Sequence, residues 1–251
     1  MHAVSHADPP PIADRLAGPP AGLDAQDWQA IAADLDSRGN AVLPALLSAG
    51  QCEALAACYD DEARYRSRIV MSRHGFGQGE YKYFAYPLPG IVQALRTEAY
   101  ACLAPIANRW NAAMGSPVRY PASHTGFLRR CHQAGQGRPT PLLLRYGTGD
   151  YNCLHQDLYG EHVFPLQIAV LLSAPGVDYA GGEFVLTEQR PRMQSRAEVV
   201  PLRKGDAVVF AVNERPVQGT RGVYRVKMRH GVSRVREGHR HVLGVIFHDA
   251  A

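Results

Sequence analysis

Cysteine is scarce in this chain of 251 residues, and its spacing excludes the usual cysteine-based sites. The five cysteines are an odd number, and no two of them form a Cys-x-x-Cys pair. This pattern argues against a disulfide framework and against a zinc–cysteine site, and it favours a reducing compartment. We therefore expect a cytoplasmic protein.

Long apolar runs are also missing. The most apolar stretch, Phe164–Pro175, has only 12 residues and contains Gln167. It is too short to span a bilayer and predicts a buried strand instead. Met1–Pro20 has no basic start followed by an apolar segment, so it lacks the features of a secretory signal peptide. We expect no membrane association.

Lysine is rare, and arginine supplies most of the positive charge, with 24 arginines against 3 lysines. The net charge of +4 is unevenly distributed, because 13 Lys and Arg residues stand against four acidic residues between Arg190 and Arg240. A basic region suits a polyanionic partner such as nucleic acid. The codon usage of a GC-rich genome would also favour arginine, and both explanations stay open.

The sequence pattern changes from helix-like to strand-like at about residue 140. Residues 1–22 are rich in Pro and Ala and predict a flexible tail. Residues 23–139 predict a mainly helical portion. Its expected helices cover about 24–39, 48–64, 91–114 and 123–134, and its expected strands cover 41–44 and 80–86.

Residues 140–251 alternate between short apolar segments and Gly or Asp turns, which is typical of an antiparallel β-sandwich or barrel. The predicted strands are 141–146, 163–173, 183–188, 197–202, 206–212, 222–230 and 240–247. We expect a single α+β domain in which the helical N-terminal portion buttresses this β-core.

The segment His155-Gln156-Asp157 indicates a metal site. Residues i and i+2 of an extended backbone point to the same face, so the imidazole and the carboxylate reach one metal. Two histidines and one carboxylate form the facial triad of non-haem Fe(II) oxygenases. Such tripeptides also arise by chance, and His6-Ala7-Asp8 has the same spacing in the predicted tail.

The third metal ligand must come from a distant strand, and the candidates are His230, His239, His241 and His248. His230 alone has an arginine ten residues further on, Arg240, at the start of an apolar strand. A buried guanidinium requires an anionic partner, and the carboxylate of 2-oxoglutarate offers a bidentate one. Alternatively, the histidines are core residues bonded to the backbone, and Arg240 pairs with a protein acid.

These motifs together resemble the Fe(II)/2-oxoglutarate-dependent dioxygenases over about residues 140–249. Their order and spacing match the prolyl-hydroxylase-like members, and the Tyr146 to Asp157 segment is also similar to the AlkB-type DNA repair dioxygenases. The matching motifs are Tyr146-Gly147-Thr148-Gly149, Leu154-His155-Gln156-Asp157, Gly181-Gly182-Glu183, Lys204-Gly205-Asp206 and His230…Arg240.

A narrower resemblance runs from about Trp28 to the C-terminus. It is to a bacterial branch of the superfamily that has been predicted to oxidise methylated nucleic-acid bases. The segments that carry it are Gly79-Glu80-Tyr81, Tyr86-Pro87-Leu88-Pro89, Arg138-Pro139-Thr140-Pro141, Leu158-Tyr159-Gly160-Glu161, Glu188-Gln189-Arg190-Pro191-Arg192 and Ile246-Phe247-His248-Asp249-Ala250.

The resemblance implies a double-stranded β-helix, similar to a jelly roll or cupin, that uses Fe(II), 2-oxoglutarate and O₂, with ascorbate as a candidate stimulant. His155, Asp157 and His230 would bind the iron and form the catalytic centre. Arg240 would hold the distal carboxylate of 2-oxoglutarate, and Tyr146 would donate its hydroxyl to the same molecule. The Arg-x-Asn-x-x-x-Arg-like pattern of AlkB-type proteins is absent, so the 2-oxoglutarate end resembles that of the prolyl hydroxylases.

The predicted function is therefore that of a dioxygenase that hydroxylates or oxidatively demethylates its substrate, with methylated bases of DNA or RNA as the favoured substrate. Hydroxylation of a protein side chain or a small molecule is the alternative, and a non-catalytic binding or sensor protein of the same fold is a further one. Glu183 and Asp206 are interpreted as structural. The candidate substrate contacts are Tyr81, Tyr83, Tyr151, Asn152, Gln156 and Tyr159, although Tyr81 and Tyr83 would equally suit a packed core.

Overall fold

The computed structural model describes residues 12–251, so the first half of the predicted tail, including His6-Ala7-Asp8, lies outside the described residues. Short 3₁₀ turns cover Cys58–Asp60, Glu62–Arg64 and Met71–Arg73. The helices are α1 Ile12–Ala17, α2 Trp28–Arg38, α3 Ala49–Ala57, α4 Gly90–Ala113 and α5 His124–Gln133. The strands are β1 Asn40–Leu43, β2 Tyr65–Val70, β3 Gly77–Gln78, β4 Glu80–Phe84, β5 Leu142–Tyr146, β6 Tyr151–His155, β7 Leu166–Leu171, β8 Tyr179–Gly181, β9 Phe184–Gln189, β10 Arg196–Val200, β11 Ala207–Ala211, β12 Glu214–Gly219, β13 Gly222–Val232, β14 Val235–Gly238 and β15 Arg240–Val245.

Side-chain caps fix where the helices begin. The Asp27 carboxylate accepts from the backbone N–H groups of the first turn of α2, and Gly39 ends that helix with a φ of 78°. Ser48 and Gln51 form a reciprocal capping box at the start of α3. The sequence predicted that α3 would continue to about residue 64. Instead the α-helix ends at Ala57 and a 3₁₀ turn follows over Cys58–Asp60. The backbone then leaves the helical conformation at Asp61.

Two antiparallel sheets face each other and form the double-stranded β-helix. The larger sheet has the strand order β1-β11-β7-β15-β5-β4-β2. The smaller sheet has the order β10-β9-β13-β6-β3, and β12 extends it by pairing with β13. A separate two-stranded pair joins β8 to β14.

The residues of β7 and β15 alternate between two apolar environments. Ile168 and Val245 belong to the main hydrophobic core, together with α4 residues such as Leu95 and Leu103. Leu171 and Val242 belong to a second cluster with other cavity-side residues, which faces the smaller sheet. The period-2 alternation of strands therefore gives one sheet both a helix-covered face and a face toward the candidate site.

The N-terminal portion contributes more than a helical buttress. Between residues 23 and 139 it provides four strands as well as four helices, and β1 pairs directly with β11 while β4 pairs with β5. Helices still predominate in this portion, and its strands pair directly with those of the β-core in addition to the buttressing role predicted for the helices. Residues 12–22 also differ from the predicted tail, because they include α1, whose Leu16 is buried in the main core.

The predicted strands of the C-terminal portion are all present, with shifts of one to three residues at their ends. Four further strands, β6, β8, β12 and β14, were not among them. The strand β12 contains Pro216, which disfavours strand assignment, and it lies at a sheet edge, where proline is tolerated. Within residues 12–251, no α-helix combines the length and hydropathy that a membrane crossing requires.

Candidate functional site

The neighbouring strands β6 and β13 bring the predicted metal ligands together. His155 at the end of β6 lies opposite His230 of β13, and Asp157 follows two residues after His155. The Asp157 carboxylate lies 3.5 Å from His155 Nε2 and 3.4 Å from His230 Nε2. All three candidate ligand atoms lie within 4.8 Å of one another. This spacing is small enough for one metal ion to contact all three side chains.

Hydrogen bonds orient the His155 and Asp157 side chains. Nδ1 of His155 lies 2.7 Å from the Cys153 carbonyl oxygen, to which it donates in the neutral ring, so Nε2 is the free nitrogen. The Tyr159 hydroxyl donates to Asp157 Oδ1 at 2.8 Å. Such contacts to metal-ligating side chains hold them in position and tune the metal.

Gln156, between the two ligands, ties the motif to the neighbouring strand. Its amide donates to Asn213 Oδ1 and to the Met228 carbonyl oxygen, each at 2.8 Å. The sequence analysis named Gln156 as a candidate substrate contact. The side chain borders the cavity, but its amide nitrogen is already engaged in these two structural hydrogen bonds.

Aromatic rings enclose His230. Its ring centroid lies 4.6 Å from that of Phe210 and 6.1 Å from that of Phe184. The Nδ1 atom of His230 is buried and has no hydrogen-bond partner among the described residues. This packing holds the ring in place without a donor or acceptor behind it.

Burial and mutual charge perturb the ionisation of the triad. Burial lowers the pKa of His155, and the neighbouring His230 lowers it further. Burial alone would raise the pKa of Asp157. This effect of burial is outweighed by the hydrogen bond and charge of His230, the charge of His155 and the Tyr159 hydroxyl. Together they hold the pKa of Asp157 well below its ordinary value. The result is a neutral imidazole beside a carboxylate, which are the forms that bind a metal.

The donor set fits a divalent iron ion. Two imidazole nitrogens and one carboxylate on one face, with the remaining directions open to a cavity, match the facial arrangement of non-haem iron sites. Within residues 12–251, no other cluster of His, Cys, Asp or Glu meets the same distance criterion. The other candidate histidines lie elsewhere. His239 is exposed, His241 packs against Tyr59, and His248 accepts from the Phe164 N–H.

Arg240 and Tyr146 lie directly opposite each other on the paired strands β15 and β5. Arg240 is 2% exposed, and its Nε and Nη1 atoms have no hydrogen-bond partner in the part of the chain that the structure describes. Its guanidinium carbon lies 5.6 Å from the centroid of the Tyr146 ring and 5.9 Å from that of Tyr179. Gly182 makes room for the arginine, since a Cβ there would lie 3.0 Å from Arg240 Cδ.

Tyr146 is fully buried, and burial raises the pKa of its hydroxyl to about 12, although the Arg240 charge opposes this shift. The hydroxyl is therefore protonated at neutral pH. It accepts a long hydrogen bond of 3.4 Å from the Asn152 amide. Its own proton is available to a ligand in the cavity.

A cavity of about 220 Å³ connects the triad with Arg240 and Tyr146. Tyr81, Tyr83, Asn152 and Tyr159 line it, and Tyr81 and Tyr83 meet edge to face with their centroids 5.4 Å apart. Tyr151 does not line the cavity, and its ring lies near Arg234 instead. Five of the six candidate substrate contacts thus border the cavity, Gln156 with its amide nitrogen engaged.

Two residues interpreted as structural have structural contacts. Asp206 accepts from the backbone N–H groups of Ala45 and Arg203 at 2.8 and 2.9 Å, as a turn residue does. Glu183 is hydrogen-bonded to Ser233 at the start of β9. Neither side chain lines the cavity beside the triad.

The sequence analysis did not assign a role to Gln167, which the structure places in the cavity wall. It also did not identify the rings of Phe184 and Phe210 as the surroundings of His230. A signal for Gln167 exists in the sequence, because it is the one amide in an otherwise apolar strand. The two phenylalanines have no such signal, since apolar residues on a strand usually pack in a core.

Comparison with known families decides the class of this chain. Residues 79–250 match the sequence profile of a family described as an oxygenase catalysing oxidative methylation of damaged DNA. The chain belongs to this oxygenase family. All of the triad, Tyr146 and Arg240 lie within the matched residues.

Two proteins of Mycobacterium tuberculosis, from strains CDC 1551 / Oshkosh and H37Rv, are each 49% identical to this oxygenase over 168 residues. The match covers 67% of this chain and 72% of each relative. Both relatives are named as uncharacterized proteins, so they support the family membership without adding a substrate.

Solved structures confirm the fold. A 2-oxoglutarate/Fe(II) oxygenase family oxidoreductase from Burkholderia pseudomallei has a TM-score of 0.53 and 16% identity, covering 90% of this chain and 94% of its own. A prolyl-4-hydroxylase from Pseudomonas putida has a TM-score of 0.51 and 15% identity, covering 89% and 99%. At such identities the likeness establishes the double-stranded β-helix and nothing about the substrate.

Proposed function

We propose that this oxygenase oxidatively demethylates alkylated nucleic-acid bases and requires Fe(II), 2-oxoglutarate and O₂. The observation that carries the proposal is the convergence of His155, Asp157 and His230 on one point beside a cavity that contains an unpaired arginine. A metal ion and an anionic co-substrate would each satisfy one part of this arrangement. The family description supports damaged DNA as the substrate class.

His155, Asp157 and His230 would hold the iron. Iron, when bound with 2-oxoglutarate, supplies O₂-dependent oxidation of a substrate C–H bond with release of succinate and CO₂. The hydrogen bonds from His155 to Cys153 and from Tyr159 to Asp157 would keep the ligand atoms aimed at the metal.

Arg240 and Tyr146 would bind the far carboxylate of 2-oxoglutarate. A buried guanidinium with two unpaired N–H groups has a strong requirement for an anion. A carboxylate accepts both through charge-assisted hydrogen bonds, and the protonated Tyr146 hydroxyl supplies a further donor. The apolar lining from Leu142, Val242 and Ile246 would exclude water from the reacting end.

The reaction on an N-methyl group follows from its chemistry. One oxygen atom of O₂ enters the methyl C–H bond and gives a hydroxymethyl group on nitrogen. The second oxygen atom enters succinate as 2-oxoglutarate loses CO₂. The hydroxymethyl group then leaves as formaldehyde, so the base loses its methyl group.

The surface charge supports a nucleic-acid partner. Nine of the 13 cations between Arg190 and Arg240 are exposed. Three of them, Arg225, Lys227 and Arg229, occupy successive outward positions of β13, the strand that carries His230. Cations on one face attract phosphates irrespective of base sequence. The five free cysteines suit a reducing compartment and support a cytoplasmic location.

A direct test supplies the purified protein with Fe(II), ascorbate and 2-oxoglutarate and measures succinate and formaldehyde. The substrates are single-stranded and double-stranded oligonucleotides with or without one N-methylated base, and pools of peptides. We expect formaldehyde only with the methylated oligonucleotides.

The matched variants are His155→Ala, which removes a proposed iron ligand, and His239→Ala, which removes an exposed histidine outside the triad. The first should abolish turnover and the second should preserve it. Succinate formation with peptides and none with methylated oligonucleotides would replace the proposal with hydroxylation of a protein. Turnover that survives His155→Ala would contradict the assigned metal centre.

A further inference from the structure

Gln167 is a buried amide in a strand that otherwise consists of apolar residues. It is 4% exposed, and it lies on the cavity face of β7 between the buried Leu166 and Ile168. Its cross-strand partner on β11 is Phe210. Burying a polar side chain in such surroundings lowers the stability of the fold unless a hydrogen bond compensates for the lost contact with water.

The amide nitrogen of Gln167 has no hydrogen-bond partner among the described residues. The contrast with Gln136, which is 1% exposed, is informative. The Gln136 amide donates to the carbonyl oxygens of Asp249 at 2.6 Å and His162 at 3.1 Å. A buried amide with partners serves the fold, whereas an amide in a cavity wall with an unpaired donor is suited to a ligand.

The position of Gln167 separates it from the end of the cavity that contains Arg240. Ile168 pairs with Val245 at the end of β15, and Arg240 begins that strand. Gln167 precedes Ile168 and is therefore level with Ile246, six residues of extended chain from Arg240, or roughly 20 Å at the usual rise per residue. Gln167 is instead near the triad, because Phe210 beside it packs against His230.

A short segment of the chain also connects the triad to the strand that carries Gln167. Residues 158–165 lead from Asp157 to the start of β7, and Tyr159 in that segment donates to Asp157. A co-substrate that extends from the triad toward Arg240 would leave the space at Gln167 to the other reactant. The unpaired donor thus borders the region where the oxidised group would lie.

We propose that the Gln167 side-chain amide donates a hydrogen bond to the substrate base, to a carbonyl oxygen or an unprotonated ring nitrogen near the methylated position. This inference rests on the proposed function and adds a residue that selects and positions the base. Gln167 takes no part in the bond changes. A base that presents a donor at this point would leave both groups unpaired and would be disfavoured.

The test compares the wild type with Gln167→Met, which keeps an unbranched side chain and removes the donor. Leu171→Met is the matched control, because Leu171 is a buried residue on the same face of the same strand. Three quantities are measured: the melting temperature without ligands, the dissociation constant of 2-oxoglutarate for the Mn(II)-loaded protein, and kcat and KM for oligonucleotides that each carry one N-methylated adenine, cytosine, guanine or thymine.

We expect Gln167→Met to melt at or above the wild-type temperature, because no donor remains buried without a partner. Its KM for the preferred methylated oligonucleotide should rise about tenfold, the loss expected for one hydrogen bond. The dissociation constant of 2-oxoglutarate should stay within about twofold of the wild-type value, since Arg240 and Tyr146 are unchanged. Leu171→Met should leave KM unchanged.

The contrary outcomes separate this inference from the function on which it rests. A lower melting temperature with an unchanged KM would make Gln167 a structural residue. Weaker 2-oxoglutarate binding with an unchanged oligonucleotide KM would assign its donor to the co-substrate. Both results overturn the inference and leave the proposed function in place, whereas a wild type that turns over none of the oligonucleotides overturns both.

Discussion

Three arginines are buried among the residues that the structure describes, and two of them, Arg96 and Arg240, have surroundings that differ in a way that separates structure from function. Arg96 of α4 is fully buried, and all three of its side-chain nitrogens donate hydrogen bonds. Arg240 of β15 is almost as buried, yet its Nε and Nη1 have no partner among residues 12–251. The fold therefore supplies a hydrogen-bond partner to every side-chain nitrogen of Arg96 but not to every one of Arg240.

The partners of Arg96 show what a completed site requires. Its Nη2 lies 2.7 Å from Asp249 Oδ1, in an ion pair in which both side chains are buried. Its Nε donates to the Ile246 carbonyl oxygen at 2.9 Å, and its Nη1 donates to the Tyr86 hydroxyl at 3.0 Å. The network joins α4 to the end of the chain that follows β15.

The difference teaches that a buried guanidinium without an acidic partner in the cavity wall indicates a ligand site, since the other buried arginines, Arg96 and Arg215, pair with Asp249 and Glu188. A fold that leaves a guanidinium unpaired in its interior is less stable for it, so the unpaired group indicates an anion that arrives later. The same argument applies on a smaller scale to the amides of Gln136 and Gln167.

The largest expected effect on stability comes from replacing Arg96, whose side-chain nitrogens all have hydrogen-bond partners. Arg96→Met should lower the free energy of unfolding by about 3–5 kcal/mol, because it leaves the Asp249 carboxylate buried without its main partner. Arg240→Met should change the free energy of unfolding by less than about 1 kcal/mol or increase it, since the Nε and Nη1 atoms of Arg240 have no partner to lose among the described residues. Urea denaturation of the two variants measures both. Equal destabilisation would erase the distinction between the two arginines.

A second prediction concerns the hydrogen bond from Tyr159 to Asp157. Tyr159→Phe should raise the dissociation constant for Fe(II) about 10- to 100-fold, the range typical of groups that orient a metal ligand. The expected loss is specific to metal binding, so the melting temperature of the metal-free protein should change little. Tyr151→Phe is the control, because that ring lies outside the cavity. Unchanged Fe(II) affinity, measured by anaerobic titration, would show that Asp157 does not need this contact.

The smallest expected effect is a pH dependence of stability that arises from two buried histidines near Arg96. Burial, together with the Arg96 charge, lowers the pKa of His124 and of His248 to about 4. In the unfolded chain these histidines bind protons at and below about pH 6.5, whereas in the fold they stay neutral down to about pH 4. The free energy of unfolding should therefore fall as the pH decreases through that window.

A variant isolates the contribution of one of these histidines. His124→Gln keeps a donor for the Phe247 carbonyl oxygen, which His124 Nε2 contacts at 2.8 Å, and it removes one titrating group. Its free energy of unfolding should fall less steeply than that of the wild type between pH 6.5 and pH 4. Parallel curves for the two proteins would mean that His124 is protonated in the fold.

The sequence predicted most of the β-core because a two-residue apolar period and Gly or Asp turns are local signals. It also identified the side chains that converge at the site, since His155 and Asp157 are two residues apart in sequence and Arg240 follows His230 by ten residues. Pairing between distant strands is not a local signal. For this reason β1 and β4 were not predicted to join the larger sheet, and Pro216 concealed β12.

The sequence could not show which polar groups lack partners. Arg96 and Arg240 look alike in the sequence, as do Gln136 and Gln167, and only the folded arrangement reveals which of each pair is satisfied. The role of Tyr159 was likewise hidden, because its contact with Asp157 depends on the course of the segment between β6 and β7.

The most direct test of the claim that Arg240 awaits an anion is a calorimetric titration of 2-oxoglutarate into the Mn(II)-loaded protein. We predict binding at one site per chain in the wild type and in His239→Ala. Arg240→Met should lower the affinity at least about 30-fold, since removing one partner of a buried charge pair typically costs about 2–5 kcal/mol. Undiminished affinity in Arg240→Met would show that this buried arginine is not the 2-oxoglutarate site and would contradict the account.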